Sequence, residues 1–312
     1  MNTLLQNKDK IFSIKKKIEN KDPSYYSHFI IQNHNLAENA VSIVMTSSNR
    51  SKQTYFTLSS MLTSSCKNIQ VIIVDDSTND PIDCNKLMEY PFYIDFIKIN
   101  RENKDWHNPL VNYNIGFQYI KGSKVVIQNA EVCHIGNILG FVYDTIIDNN
   151  YYTFDVKSAL NFDANEIIYN NDISTIDIYN NEKLNNLWYN LWYQGESHNR
   201  NFHFLTAMTK TTFDKVKEFS YDCTMGGSYD DDDFLLKIIS KNIYIVNIFH
   251  NHYGIGGIHL FHGIALEVWD KNVESNEYLF YNKKNIYCTT GNYIDVTENY
   301  DDFYDKYKLL LV

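Results

Sequence analysis

"AVSIVMTSSNRSKQTYFTLSSMLTSSCKNIQVIIVDDSTND", residues 40–80, decides how this chain is read. It opens with a short apolar run, Val41 to Met45, that breaks off into small polar residues. It closes with a second run, Val71 to Val74, that ends abruptly at Asp75 and Asp76. Short Val- and Ile-rich runs bounded by polar residues read as buried strands. Between them Tyr55, Leu58 and Leu62 recur at helical spacing. Strand, helix and strand in so short a stretch make a βαβ unit, with a parallel sheet and a right-handed crossover.

The pattern continues outward. "FYIDFIKIN" (92–100) reads as a third strand. "NPLVNYNIGFQYIKGS" (108–123) reads as a helix, with Pro109 at its first position, Gly122 at its stop, and a stripe of Val111, Ile115 and Tyr119. A fourth strand, Val125 to Ile127, runs into Gln128-Asn129-Ala130-Glu131. A helix over 137–147 and one strand over 151–160 follow, then a weakly periodic, Asn-rich stretch over 161–200. "FHFLTAMTKTTFDKV" (202–216) returns to strand and helix, and Phe234, Leu235, Ile238 and Ile239 share a helical face. "NIYIVNIFHNHYG" (242–254) is a strand ending in His250 and His252. The tail reads as a hairpin and a helix. The predicted class is α/β, a Rossmann-like, mostly parallel sheet flanked by helices.

With 312 residues, 44% of them hydrophobic, the chain can bury a sizeable core. A net charge of -10 without a long basic block argues against nucleic acid and anionic membrane surfaces. It leaves room for a phosphorylated ligand if a metal ion bridges the two negative partners. No apolar run approaches the ~20 residues of a membrane span, and no secretory signal is visible. Five widely spaced cysteines without a C-x-x-C pair suggest free thiols, not a zinc site, and a soluble protein of the reducing cytoplasm.

Four strands end in polar groups: Thr46 with Ser47 and Ser48, Asp75 with Asp76, Asn129 with Glu131, and His250 with His252. In an open parallel sheet these ends share one edge, where ligands bind. Neither G-x-G-x-x-G nor a G-x-x-x-x-G-K-[ST] loop is present, so the sequence offers little backbone cradle for a diphosphate. A divalent cation held by carboxylate and histidine is the other way to neutralise one. The second puzzle is "MGGSYDDDDFLLKIISK" (225–241), four consecutive aspartates before an apolar run. Two such charges about 4 Å apart repel by roughly 4 kcal/mol near a protein surface. A helix N-terminus offsets only part of that.

These segments together resemble the GT-A nucleotide-sugar glycosyltransferases, especially the family 2 type, over residues 40–255. The resemblance rests on "VSIVMTSSNRS", "VIIVDDST", "NYNIGFQYIKGSKVVIQNAEVCHIG" with Asn114 and Gly116 in register, and "MGGSYDDDDFLLKI". It implies a helical N-terminal extension over 1–35, a GT-A catalytic domain over 36–270 and a C-terminal extension over 271–312. The nucleotide half would span about 36–135 and the acceptor half about 136–270. Thr46, Ser48, Arg50, Asp76, Asn114, Asn129 and Glu131 would bind the donor. Asn129-Ala130-Glu131 stands where the family has its Asp-x-Asp metal motif, so Glu131 would be a metal or ribose-phosphate ligand. His250, or second His252, would complete a Mn²⁺ or Mg²⁺ site. Asp231 takes the place of the catalytic base, Asp230 that of a neighbouring acid, and Lys237 that of a basic residue further on. Gly227 and Asp232 would face the acceptor.

"WYNLWYQGESHNRNFHF" (188–204) is a candidate acceptor wall through Trp192, His198 and His203. The alternative makes Trp188 and Trp192 the core stripe of a helix. The activity implied is transfer of a sugar, from a UDP-sugar foremost, to a hydroxyl of a glycan or protein, inverting at C1. A competing reading keeps the fold but makes the chain a non-catalytic carbohydrate binder, since the Asp-x-Asp is missing. A nucleotidyltransferase would want a glycine- and basic-rich loop where "TSSNRSK" stands.

Overall fold

The computed structural model describes residues 2–32, 35–171, 188–194, 200–263 and 273–298, with 2–6 and 188–194 as backbone only. A helix, Asn2–Glu19, leads to β1 (Tyr26–Gln32). The stretch 40–80 forms β2 (Val41–Ser47), the helix Ser51–Met61 and β3 (Ile69–Asp75). Next come β4 (Tyr93–Ile99), the helix Leu110–Phe117, β5 (Lys124–Asn129) and β6 (Val132–Ile135). The helix Ile138–Thr145 precedes β7 (Asn150–Phe154) and β8 (Val156–Ala159), and the helix Phe162–Tyr169 follows them. Then β9 (Trp188–Gln194), β10 (Leu205–Thr209) and the helix Lys210–Val216 lead to the acidic helix Asp230–Ser240. β11 (Tyr244–Ile248), the short helix His250–Tyr253, β12 (Gly256–His259) and the helix Val273–Thr290 complete the described chain.

The main sheet has eight strands in the order β1-β4-β3-β2-β5-β10-β7-β11. From β4 through β3 and β2 to β5 every pairing is parallel. Strand order reverses between β2 and β5, the topological switch point at which open α/β sheets bind ligands. β10 runs antiparallel to both β5 and β7, so its amino end meets the carboxyl ends of those neighbours.

Alternation in β2 and β3 builds two cores. Ile43, Met45, Val71 and Ile73 pack on one face with Leu58 and Met61 of the Ser51–Met61 helix. Val44, Ile72 and Val74 pack on the other with Val111 and Ile115 of the Leu110–Phe117 helix. Each such side chain contributes about 1.5–3 kcal/mol by leaving water. Gly116 lets the second helix lie close, since a Cβ there would stand 2.7 Å from Val44 Cγ1.

Three local readings change. Residues 1–35 are no mere helical extension: Ile11, Ile14 and Ile18 are buried in the second core, and β1 closes one edge of the main sheet. The helix from 110 ends at Phe117, so Gly122 is not its stop. Gly122 instead lies against β2, where a Cβ would meet the Ala40 carbonyl. The strand expected over 151–160 is two strands in different sheets, with Asp155 between them.

A second sheet, β6-β12-β8-β9, stands beside the first. The chain crosses between sheets at Ala130-Glu131 (β5 to β6) and at Asp155 (β7 to β8). Trp188 and Trp192 lie in the strand β9, not in a helix. Among the described residues no helix is long and apolar enough to cross a membrane.

Candidate active site

Glu131 sits at the first crossing and is fully buried. A lone carboxylate there would be heavily penalised. Arg50, at the start of the Ser51–Met61 helix, places Nη1 2.5 Å from Glu131 Oε1. The β6–β12 ladder supplies the rest. His259 pairs with Val132, and Leu260 N donates to Glu131 O at 2.9 Å. His259 Nε2 and His262 Nε2 each lie 3.4 Å from Glu131 Oε1. Burial pushes the Glu131 carboxyl up, but Arg50 and the two histidines outweigh it and hold the group well below the usual range. Glu131 Oε2 is buried without a hydrogen-bond partner.

One carboxylate and two imidazoles, with ligand atoms within 4.8 Å of one another, could hold a metal ion. The unpartnered Oε2 is the atom such an ion would satisfy, so the residues fit the group. The histidines gathered here are His259 and His262, not the expected His250 and His252. His250 opens a short helix, with its backbone N–H donating to Asp155 Oδ2 at 2.8 Å, and His252 is exposed.

Asp76, at the end of β3, is 4% exposed and caged. Arg101 Nη1 donates to its carbonyl at 2.6 Å and to Oδ1 at 2.8 Å. Lys104 Nζ and Asn112 Nδ2 both bond Oδ2. Ser48 Oγ donates to the Asp76 carbonyl at 3.2 Å. Thr46 lies between Val74 and Asn129 in register, so both neighbouring strand ends flank it. Asn114 differs from expectation. It is fully buried, and its side chain both donates to and accepts from the Phe219 backbone at 2.9 Å, bracing the helix against the segment after Val216.

The four aspartates fan out around one turn. Asp230 is buried, with Asn108 Nδ2 3.3 Å from Oδ1. Burial and the neighbouring Asp231 charge push its carboxyl up to about 6. Asp231 Oδ1 is 2.7 Å from His203 Nδ1, an ion-pair contact. His203 would titrate low from burial alone, but Asp231 and Asp230 raise it above an ordinary histidine. Asp232 is only partly buried, and burial together with Asp231 raises it. Asp233 is buried, its Oδ1 ion-paired with Lys283 Nζ at 2.6 Å and its Oδ2 accepting from the Tyr293 hydroxyl at 2.8 Å.

His203, expected on an acceptor wall, instead packs its ring against Phe219 (4.7 Å) and Tyr113 (5.1 Å) and faces Asp231. Gly227, expected to face the acceptor, has its carbonyl bonded by Asn276 Nδ2 at 3.1 Å. Lys237 turns away, donating to the Glu218 carbonyl at 2.8 Å. Trp192 is described as backbone only, and His198 lies outside the described residues.

Tyr113 joins the two clusters. Its hydroxyl donates to the Gln128 carbonyl at 2.9 Å and lies 3.2 Å from Asn129 Oδ1. Burial raises its phenol well above the ordinary value, and the charges of Glu131, Asp231 and Asp230 add to that. Tyr113, His259 and His262 have no place in the sequence-based expectation. The His-x-x-His spacing after "GIGGI" was the available signal for the last two.

No protein-family model matches the sequence, and no curated protein is significantly similar to it. Solved structures are. S. aureus TarS superposes with a TM-score of 0.52 at 10% identity, covering 80% of this chain and 40% of its own. TarS 1–349 in complex with UDP-GlcNAc gives 0.50 at 12% identity, covering 77% of this chain and 65% of its own. This chain thus spans less than two thirds of the length of either. With its switch point, mostly parallel sheet and flanking helices, the chain has a GT-A-type glycosyltransferase fold.

Proposed function

We infer that this chain is a glycosyltransferase that moves a sugar from a nucleotide-sugar donor, a UDP-sugar foremost, to a hydroxyl of a glycan or protein acceptor. One observation carries the reading: the Glu131 cluster and the Asp231–His203 pair are both disposed around Tyr113, at the switch-point edge of one sheet. TarS 1–349, of the same fold, binds UDP-GlcNAc, which supports this donor class.

Thr46, Ser48 and Asp76 would hold the nucleoside end of the donor, with Arg101 and Lys104 fixing Asp76. Glu131, His259 and His262 would hold Mn²⁺ or Mg²⁺, which would supply Lewis-acid stabilisation for the leaving diphosphate. Arg50 keeps Glu131 ionised and oriented for that role, and Asn129 lies beside it at 3.4 Å. Asp231 takes the proton from the acceptor hydroxyl as that oxygen attacks C1. Its helix N-terminus favours the carboxylate by about 0.3–1 kcal/mol. Attack opposite the leaving group inverts C1. Asp230, whose carboxyl is pushed up, can donate a hydrogen bond to the acceptor, and the partly buried Asp232 would face the acceptor.

The test is to incubate the protein with Mn²⁺ and a panel of UDP- and dTDP-sugars and to assay released nucleoside diphosphate. Cation-dependent release is the expected result. Neither release nor cation-dependent thermal stabilisation with any donor overturns the reading and leaves a carbohydrate-binding relative of the fold.

A further inference from the structure

The segment after Val273 grips the loop that carries Asp231. Ser228 and Tyr229, directly before the acidic helix, are two successive non-glycine residues in the left-handed region, with φ of 65° and 64°. Backbone of this kind is disfavoured for residues with a Cβ and persists only where its surroundings enforce it. Asn276, 5% exposed, supplies the enforcement. Its Nδ2 donates toward three carbonyls of this loop: Cys223 at 3.3 Å, Gly227 at 3.1 Å and Ser228 at 3.2 Å. The Tyr229 ring packs against Phe280, one helical turn further along the same helix, at 5.6 Å.

Lys283 holds the two flanks. It is 1% exposed, and its Nζ lies 2.7 Å from Asp222 Oδ2, ahead of the loop, and 2.6 Å from Asp233 Oδ1, two residues past Asp231. Tyr293 bonds Asp233, and the backbone N–H groups of Val296 and Thr297 bond Asp222 at 3.0 and 2.7 Å. From the opposite side Asn108 holds the Gly226 carbonyl and Asp230. The loop is therefore held both by Asn108 and by the segment after Val273.

We propose that the segment Val273–Thr297 is a positioning brace for the transfer reaction, with Asn276 and Lys283 as positioning residues that set the Asp231 carboxylate against His203. It rests on the reading of Asp231 as the base. Without Asn276 the left-handed turn relaxes toward ordinary backbone and carries the first helical turn with it. A displacement of about 1 Å at a reacting group lowers rate on the order of a hundredfold.

The test compares wild type with Asn276→Ala and with the milder Tyr293→Phe, using folded protein confirmed by circular dichroism. Two readouts are taken: transfer kinetics, and the titration of the His203 imidazole by NMR, which senses Asp231, Asp230 and Tyr113 around it. In Asn276→Ala the expected result is a kcat at least about tenfold lower, an unchanged donor KM, and a His203 pKa displaced downward. Tyr293→Phe should move both readouts in the same direction by less. A kcat and a His203 titration that both match wild type in Asn276→Ala overturn the brace, even if its Tm falls. So does a displaced titration with unchanged kcat, since the segment then positions nothing the reaction uses. If wild type itself proves inactive, a displaced His203 titration still upholds the placement of Asp231 by the segment, and only the functional reading fails.

Discussion

Glu131 and the run Asp230–Asp233 both stand at the switch-point edge, yet they are treated in opposite ways. Glu131 is a single carboxylate ringed by Arg50, His259 and His262, and it stays ionised despite complete burial. The acidic run sets four carboxylates on one turn and pairs them unequally. Asp233 has a buried lysine, Asp231 has a histidine, and Asp230 has an amide. Within the run, burial and the Asp231 charge push Asp230 up to about 6 and raise Asp232. The first arrangement suits an anionic leaving group and a cation, because its charge is fixed. The second suits proton traffic, because its charge is adjustable.

The sharpest way to break this contrast is at Asp231. Asp231→Asn should lower transfer by roughly 10²–10⁴-fold, the usual worth of a general base, and leave nucleotide affinity nearly unchanged. Wild-type transfer by that variant would remove Asp231 from the mechanism. Next is Glu131→Gln, which should abolish any cation-dependent rise in Tm. It should weaken cation binding by more than the roughly 10–100-fold typical of losing an outer-shell partner. A retained Mn²⁺ response would assign the ion elsewhere.

Two stability experiments sharpen the contrast further. Gly116→Ala should destabilise by about 1–3 kcal/mol, because its Cβ would meet Val44 Cγ1 at 2.7 Å and Val74 Cγ2 at 3.2 Å, both buried in the second core. Urea unfolding midpoints would show it, and an unchanged midpoint would mean that the helix shifts freely. The other concerns pH. Asp230 titrates near 6 in the folded chain, above an ordinary aspartate. Between about pH 4 and 6 the folded state therefore binds the extra proton, and stability falls as pH rises through that window. Asp230→Asn should be more stable than wild type above about pH 6, by up to about 3 kcal/mol, and equal below about pH 4. A parallel pair of Tm–pH curves would contradict this.

The stretch from β2 to β5 was legible because its elements are local. β2, β3 and β5 are Val- and Ile-rich runs closed by polar residues, and the helices between them keep a clear period. The second sheet was not, because its logic is non-local. Residues 151–160 look continuous, and only pairing with β11 and β12 splits them at Asp155. His259 and His262 follow a glycine-rich stretch without a clear period, and it is the β12–β6 ladder that brings them to Glu131. Asn114 was given a ligand role from its place in a motif, while its side chain is committed to Phe219. Lys283 shows the same limit. A lysine on a C-terminal helix looks solvated, and only tertiary packing reveals two buried carboxylates waiting for it.

The most direct test of the division of labour is calorimetric titration of UDP, in the presence of Mn²⁺, into wild type, Glu131→Gln and Asp231→Asn. Binding should be retained by Asp231→Asn and lost or strongly weakened in Glu131→Gln. Equal binding by all three, or loss confined to Asp231→Asn, would contradict the assignment of one cluster to the leaving group and the other to the acceptor.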